Sequence, residues 1–132
     1  MSSIVWSVFL YGSETWAIRQ QEYKNIDALE MWIWRRILKI SWRDHITNDE
    51  VKRRIGIKKS LRKTIIERKK SWIGHILRGN NTITTAIEGQ IEGSRTRGRP
   101  RVSMLDELIG EGTYAAMKRR AGNRKEWRIW NP

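Results

Sequence analysis

Between Lys52 and Lys70 the sequence holds ten basic residues (Lys52, Arg53, Arg54, Lys58, Lys59, Arg62, Lys63, Arg68, Lys69 and Lys70) and one acid, Glu67. Ammonium and guanidinium groups at that density suit one task above others. They neutralise successive phosphates of a polyanion and release the counterions those phosphates had condensed, so binding weakens steeply with salt. The plainer reading is a solvated helix face whose charged stems cover the core. The one-sidedness of the charge favours polyanion contact. A second basic run, RTRGRPR from Arg95 to Arg101, offers different chemistry. Gly98 allows close backbone approach and Pro100 keeps the chain extended. Arg97 and Arg99 would then enter a narrow minor groove, as in an AT-hook, or belong to a flexible basic connector.

Other chemistries find little support. The chain has no Cys, which excludes disulfides, Cys-containing zinc sites and thiol catalysis. Its two His, His45 and His75, have no second ligand at metal spacing. Asp27, Asp44, Asp49 and Asp106 are scattered, and Asp49 and Glu50 read as first-turn acids facing a helix dipole. No Gly-rich phosphate loop or nucleophile elbow occurs. The residues therefore assign no catalytic group, no metal site and no cofactor to this chain.

The elements that must carry the basic residues read as helices. A first helix is expected over Ile4 to about Trp16, and a second over about Gln21 to Ile40. In the second, Ile26, Leu29, Ile33, Ile37 and Ile40 recur at helical spacing, widened by Met31, Trp34 and Leu38, while Arg35, Arg36 and Lys39 fall largely on the other side. Thr47-x-x-Glu50 reads as a capping box opening a short helix that stops at Gly56. Ser60 caps a long basic helix over about Leu61 to Arg78. Its apolar stripe is Leu61, Ile65, Trp72 and Ile76, joined by Ile66, Ile73 and Leu77. Residues 82–101 lose the helical period and read as a basic Gly/Pro-containing loop or arm with room for a short extended pair. Helix is expected again over about Val102 to Ile109, from a Thr113 cap to Arg120, and after an Asn123 cap, where Trp127 and Trp130 lie. The fold class that follows is all-α, a small irregular helical bundle. Its segments are 1–45, a helical pair; 46–81, basic and helical; 82–101, the arm; and 102–132, short C-terminal helices.

The 132 residues carry 27 Lys+Arg against 14 Asp+Glu, a net charge of +13. Residues 1–34 hold only Arg19 and Lys24 against Glu14, Glu22, Asp27 and Glu30, so the basic excess lies entirely beyond them. That asymmetry points to nucleic acid first and an anionic membrane surface second. The apolar run Ile4–Tyr11 is too short to span a bilayer and lacks a basic leader. The absence of Cys suits a nuclear or cytoplasmic setting rather than secretion. Of the eight Trp, Trp6, Trp16, Trp72 and Trp127 sit in apolar patterns and are expected in the core. Trp32 and Trp34 cannot share one helix face.

Six blocks in register carry a family resemblance: VWSVFLYGSETW (5–16), EMWIWRRILKISW (30–42), TNDEVKRRIG (47–56), SWIGHILRG (71–79), IEGQIEGSRTRGRPR (87–101) and MKRRAGNRKEWRIWNP (117–132). Together they resemble the C-terminal region of the endonuclease–reverse transcriptase of RTE-like non-LTR retrotransposons, across almost the whole chain. Ile33 stands where many relatives have Cys. The resemblance implies that the first two blocks are later thumb helices and that the rest is the C-terminal extension. It places the Mg²⁺-holding polymerase aspartates in an upstream palm, and nothing here matches that palm or the endonuclease. Met1–Ser3 read as an arbitrary start within a longer frame. Missing its thumb neighbour, the helix from Ile4 to Trp16 would keep an uncovered apolar face, which predicts marginal stability or self-association.

The expected function is that of a reverse transcriptase fragment of this transposable element, not an enzyme on its own, gripping the backbone of primer–template or other duplex. The partner is RNA, DNA or a hybrid, not a membrane. The residues expected to bind nucleic acid are Arg53, Arg54, Lys58, Lys59, Arg62, Lys69, Lys70, Arg97 and Arg99. Two other readings stay open at this point: a decayed open reading frame without selected activity, and a host-used DNA-binding protein of AT-hook or helix-turn-helix type.

Overall fold

Where the chain folds back on itself it does so at short capped turns between helices. The computed structural model describes residues 2–56, 59–79, 82–89, 103–110 and 112–130. Among these the fold is all-α, with eight α-helices and no strand: α1 (Ser2–Phe9), α2 (Gln20–Ile37), α3 (Asn48–Ile55), α4 (Leu61–Arg78), α5 (Thr82–Glu88), α6 (Asp106–Ile109), α7 (Tyr114–Gly122) and α8 (Arg124–Ile129). Two 3₁₀ turns, Ser13–Thr15 and Trp42–Asp44, follow α1 and α2.

Local chemistry sets most boundaries. The first helix is shorter than the expected Ile4–Trp16, because Gly12 takes the left-handed conformation (φ 67°) and starts the 3₁₀ turn. In α2 the Glu22 carboxylate accepts from the Arg19 backbone N–H at 2.6 Å. The helix ends at Ile37 rather than Ile40. Ile40 N–H donates back to Arg35 C=O (2.9 Å) and Lys39 N–H to Arg36 C=O (3.2 Å), a Schellman closure that puts Lys39 at φ 55°. The Thr47 hydroxyl accepts from Glu50 N–H, one half of the expected capping box, while the Glu50 carboxylate turns to Arg53 and Arg54 instead of back to the cap. Gly56 closes α3 at φ 69°, as expected. Ser60 caps α4 through Lys63 N–H at 3.3 Å. Thr113 caps α7 through Ala116 N–H, and the Asn123 side chain accepts from the first turn of α8.

One segment departs in kind. Residues 82–88, expected in the arm, form α5. Thr84 is the reason: its buried hydroxyl donates to Ile76 and Gly79 carbonyls at the end of α4 (2.9 and 2.6 Å), a tertiary anchor that overrides a β-branched run of weak helix propensity. The helix expected from Val102 narrows to Asp106–Ile109, where Asp106 accepts from Ser103 N–H (2.7 Å). The basic run 95–101 lies outside the described residues.

The chain groups into two compact units, 18–66 and 1–17 together with 67–132, the division falling inside α4. In unit 18–66, α2 packs on α3. Its buried apolar residues are Tyr23, Met31, Val51, Leu61 and Ile65. The buried face of α2 thus runs through Tyr23, Glu30 and Met31. The expected stripe at Ile26, Leu29, Ile33, Ile37 and Ile40 is only partly covered, and Ile37 is exposed. Glu30 is buried for a purpose: its carboxylate accepts from Leu61 N–H at 3.1 Å, satisfying an orphan donor at the start of α4 with a charge that the helix dipole favours.

In the second unit the core is Leu10, Ile73, Ile76, Leu105, Leu108, Met117, Ala121 and Trp127. α7 packs on both α6 and α8. Gly74 in α4 is where Trp127 docks. A Cβ there would lie 2.7 Å from the indole Cδ1, and the indole N–H donates to the Lys70 carbonyl at 3.0 Å. α1 keeps an apolar face outside this core, with Ile4, Val5 and Val8 exposed.

Candidate nucleic-acid interface

Helix α3 displays its cations most openly. Arg53 and Arg54 both reach one carboxylate, Glu50, at 2.9 Å from each Nε. Their side chains remain 78% and 48% exposed. The guanidiniums, Arg54 foremost, hold the Glu50 carboxyl below the usual carboxylate range. One carboxylate between two guanidiniums leaves one positive charge and several unused N–H donors facing water. Lys59 and Lys63 are exposed nearby in sequence, at the entry and first turn of α4. Arg62 is partly covered: its guanidinium lies over the Tyr23 ring, 4.5 Å from the centroid. Lys58, Arg97 and Arg99 lie outside the described residues.

Farther along α4 the expected phosphate ligands turn inward. Lys69 is not a surface residue. It occupies the position between Ile65 and Ile73 on the buried stripe, its side chain is 1% exposed, and its ammonium meets Glu107 of α6 at 2.9 Å. Held there, it cannot reach a phosphate. Lys70 is half-buried and donates to the Trp130 and Arg128 carbonyls at the end of α8, with its ammonium 5.8 Å from the Trp130 centroid. Burial pushes its pKa below the usual lysine range, against the opposing pull of Glu67. Arg68 donates to the Leu10 carbonyl (3.3 Å), and Arg78 to the Ala121 carbonyl (3.0 Å). Lys118 pairs with Glu88 at 2.6 Å, which also accepts from the Tyr114 hydroxyl at 2.8 Å.

The expectation of core tryptophans holds in full only for Trp127. Trp6, Trp16 and Trp72 are half-buried, with Trp16 set edge-on to Phe9 at 5.7 Å. Trp32 and Trp42 are 59% and 78% exposed, and they border a cleft of about 790 Å³ at the end of α2. Arg35, Arg36, Lys39 and His45 also line it. None of these residues stood among the nine expected binders. The signal was present: Trp32, Arg35, Arg36 and Lys39 recur at the spacing of one helix face. Trp42, in an irregular turn, had no such signal.

No family model matches the chain, and no curated protein or solved structure matches it. Among the described residues no helix is long and apolar enough to cross a membrane, and no three acidic or His side chains are grouped to hold a metal.

Proposed function

We propose that this chain is a nucleic-acid-binding piece of an RTE-like reverse transcriptase, made of later thumb helices and the C-terminal extension, that grips phosphate backbones without polymerising. Carrying this reading is the outward display of Arg53 and Arg54 on α3, two guanidiniums sharing a single carboxylate while keeping free donors in water. Lys52, Lys59 and Lys63 add exposed charge in the same unit. Backbone contacts of this type position a protein on nucleic acid but carry no sequence information. The palm aspartates and their Mg²⁺ belong to the rest of the polymerase, so the chain binds no cofactor of its own in this reading. The exposed apolar face of α1 supports self-association of the isolated chain.

Anisotropy of a labelled primer–template duplex, titrated with the protein at several salt concentrations, tests the reading. Log affinity should fall linearly with log salt, by a slope of roughly 0.9 for each duplex phosphate engaged. A flat salt dependence overturns it. Scrambled and GC-only duplexes should compete equally; a marked preference would support the host-used DNA-binding reading instead. Primer extension by the purified chain with Mg²⁺ should give no product.

A further inference from the structure

The cleft at the end of α2 pairs two features that folding ordinarily keeps apart: indoles left in water and cations gathered beside them. Trp32, Arg35 and Arg36 on the last turns of α2, with Lys39 just past its end, form one wall, and the 3₁₀ turn Trp42–Asp44 with His45 forms another. Its remaining lining is Ile40, Ser41 and Ile46, so among the described residues no carboxylate lines the space. The nearest acid in sequence, Asp44, is engaged with the Ser41 backbone N–H at 2.7 Å. Arg35 braces the site by donating to the Ile46 carbonyl at 2.9 Å. Arg36 lies 5.6 Å from the Trp32 centroid and Arg43 lies 6.0 Å from that of Trp42. Both guanidiniums thus lie within cation–π distance of the exposed rings.

The backbone here is strained as well. Among the described residues, left-handed positions are filled by Gly12, Gly56 and Gly110, with two exceptions, Lys39 and His45. Both exceptions line this cleft. Side chains other than glycine are held in that conformation at a cost, and such positions cluster at binding sites. Here they flank Trp42 and fix the turn that presents it.

A ligand for this surface must offer flat π-faces and negative charge together, with no need of an acidic partner from the protein. Duplex nucleic acid offers charge but keeps its base faces stacked inside. An unpaired strand offers both. We propose that this cleft binds single-stranded nucleic acid, with unpaired bases stacking on Trp32 and Trp42 and the adjoining phosphates meeting Arg36, Lys39 and His45. The proposal deepens the nucleic-acid reading above and rests on it. In this arrangement α3 holds paired backbone, and the cleft takes a strand that has left the duplex.

The test uses the full chain and two labelled probes, a twelve-residue oligothymidylate of roughly one single-strand site size and a duplex of the same length. The double variant Trp32→Ala/Trp42→Ala, which removes two stacking platforms, should lose about 30-fold or more in affinity for the single strand. Its duplex affinity should stay within about twofold, and its salt slope should be unchanged because phosphate contacts remain. Trp42→Phe should recover part of the single-strand affinity, which separates stacking from any loss of fold. Equal losses on both probes, or no loss on the single strand, overturn the proposal while leaving salt-dependent duplex binding intact. If the unaltered chain binds neither probe in a salt-dependent way, the reading beneath it fails too.

Discussion

The two compact units use the same residue types in opposite ways. In the 67–132 portion the cations of α4 serve the protein itself. Lys69 neutralises Glu107 inside the core, Lys70 and Arg78 satisfy carbonyls at the ends of α8 and α7, and Arg68 does so for Leu10. In unit 18–66, Arg53, Arg54, Arg36 and Lys39 point to water. A run of basic residues is therefore not one surface. Position relative to the buried stripe decides which cations remain for a partner: residue 69 lies on the line from Ile65 to Ile73, whereas residues 53 and 54 lie off the one buried position of α3, Val51.

The sharpest way to break this contrast is at Lys69. Lys69→Met strands the Glu107 carboxylate and should cost about 3–5 kcal/mol in urea unfolding. Adding Glu107→Leu should restore most of that, since a buried ion pair replaced by apolar groups is often neutral. If Lys69→Met instead leaves stability unchanged and lowers the duplex salt slope, the residue belongs with the surface cations and the contrast fails. Next in size is Gly74→Ala. The added methyl meets the Trp127 indole, and the forced shift of α8 should cost about 1–3 kcal/mol, visible in the same unfolding curves. Arg53→Ala/Arg54→Ala should behave in the opposite manner, moving stability by less than about 0.5 kcal/mol while reducing the duplex salt slope by up to roughly 1.8.

The smallest expected effect is a titration. Burial, then the hydrogen bond to Glu88, raises the Tyr114 phenol to about 12. The folded value lies above the unfolded value of about 10. This contribution is therefore complete below the unfolded value and is lost as pH climbs toward the folded one. The gap in urea midpoint between the unaltered chain and Tyr114→Phe should narrow between about pH 9 and pH 12. A constant gap would show that the phenol proton plays no part.

How much of this could be read from the sequence follows the range of the interactions involved. Ser60, Thr47, Thr113, Asn123 and Gly56 act within three or four residues of their partners, and their caps were legible. Lys69 needed knowledge of Glu107, 38 residues away. Helix α5 needed the bonds from Thr84 to the end of α4, which propensity does not encode. The buried face of α2 was misplaced because the helix carries apolar residues on more than one side, and only the partners that α3 and α4 supply choose between them. The cleft was half visible: its wall on α2 follows helical spacing, but Trp42 is placed by a turn whose left-handed Lys39 no sequence rule favours.

The order in which the chain is joined has a kinetic consequence. Unit 18–66 is one unbroken stretch, so every contact it needs is available once Ile66 has been made. The other unit unites residues 1–17 with 67–132, and the bond from Arg68 to Leu10 spans 58 positions. Such distant pairing must close a long loop before any contact rewards it, and it lags behind local assembly. During synthesis, the Trp32–Trp42 cleft would be formed while Leu10, at the end of the first helical segment, still waits for Arg68 and the rest of its own unit to arrive.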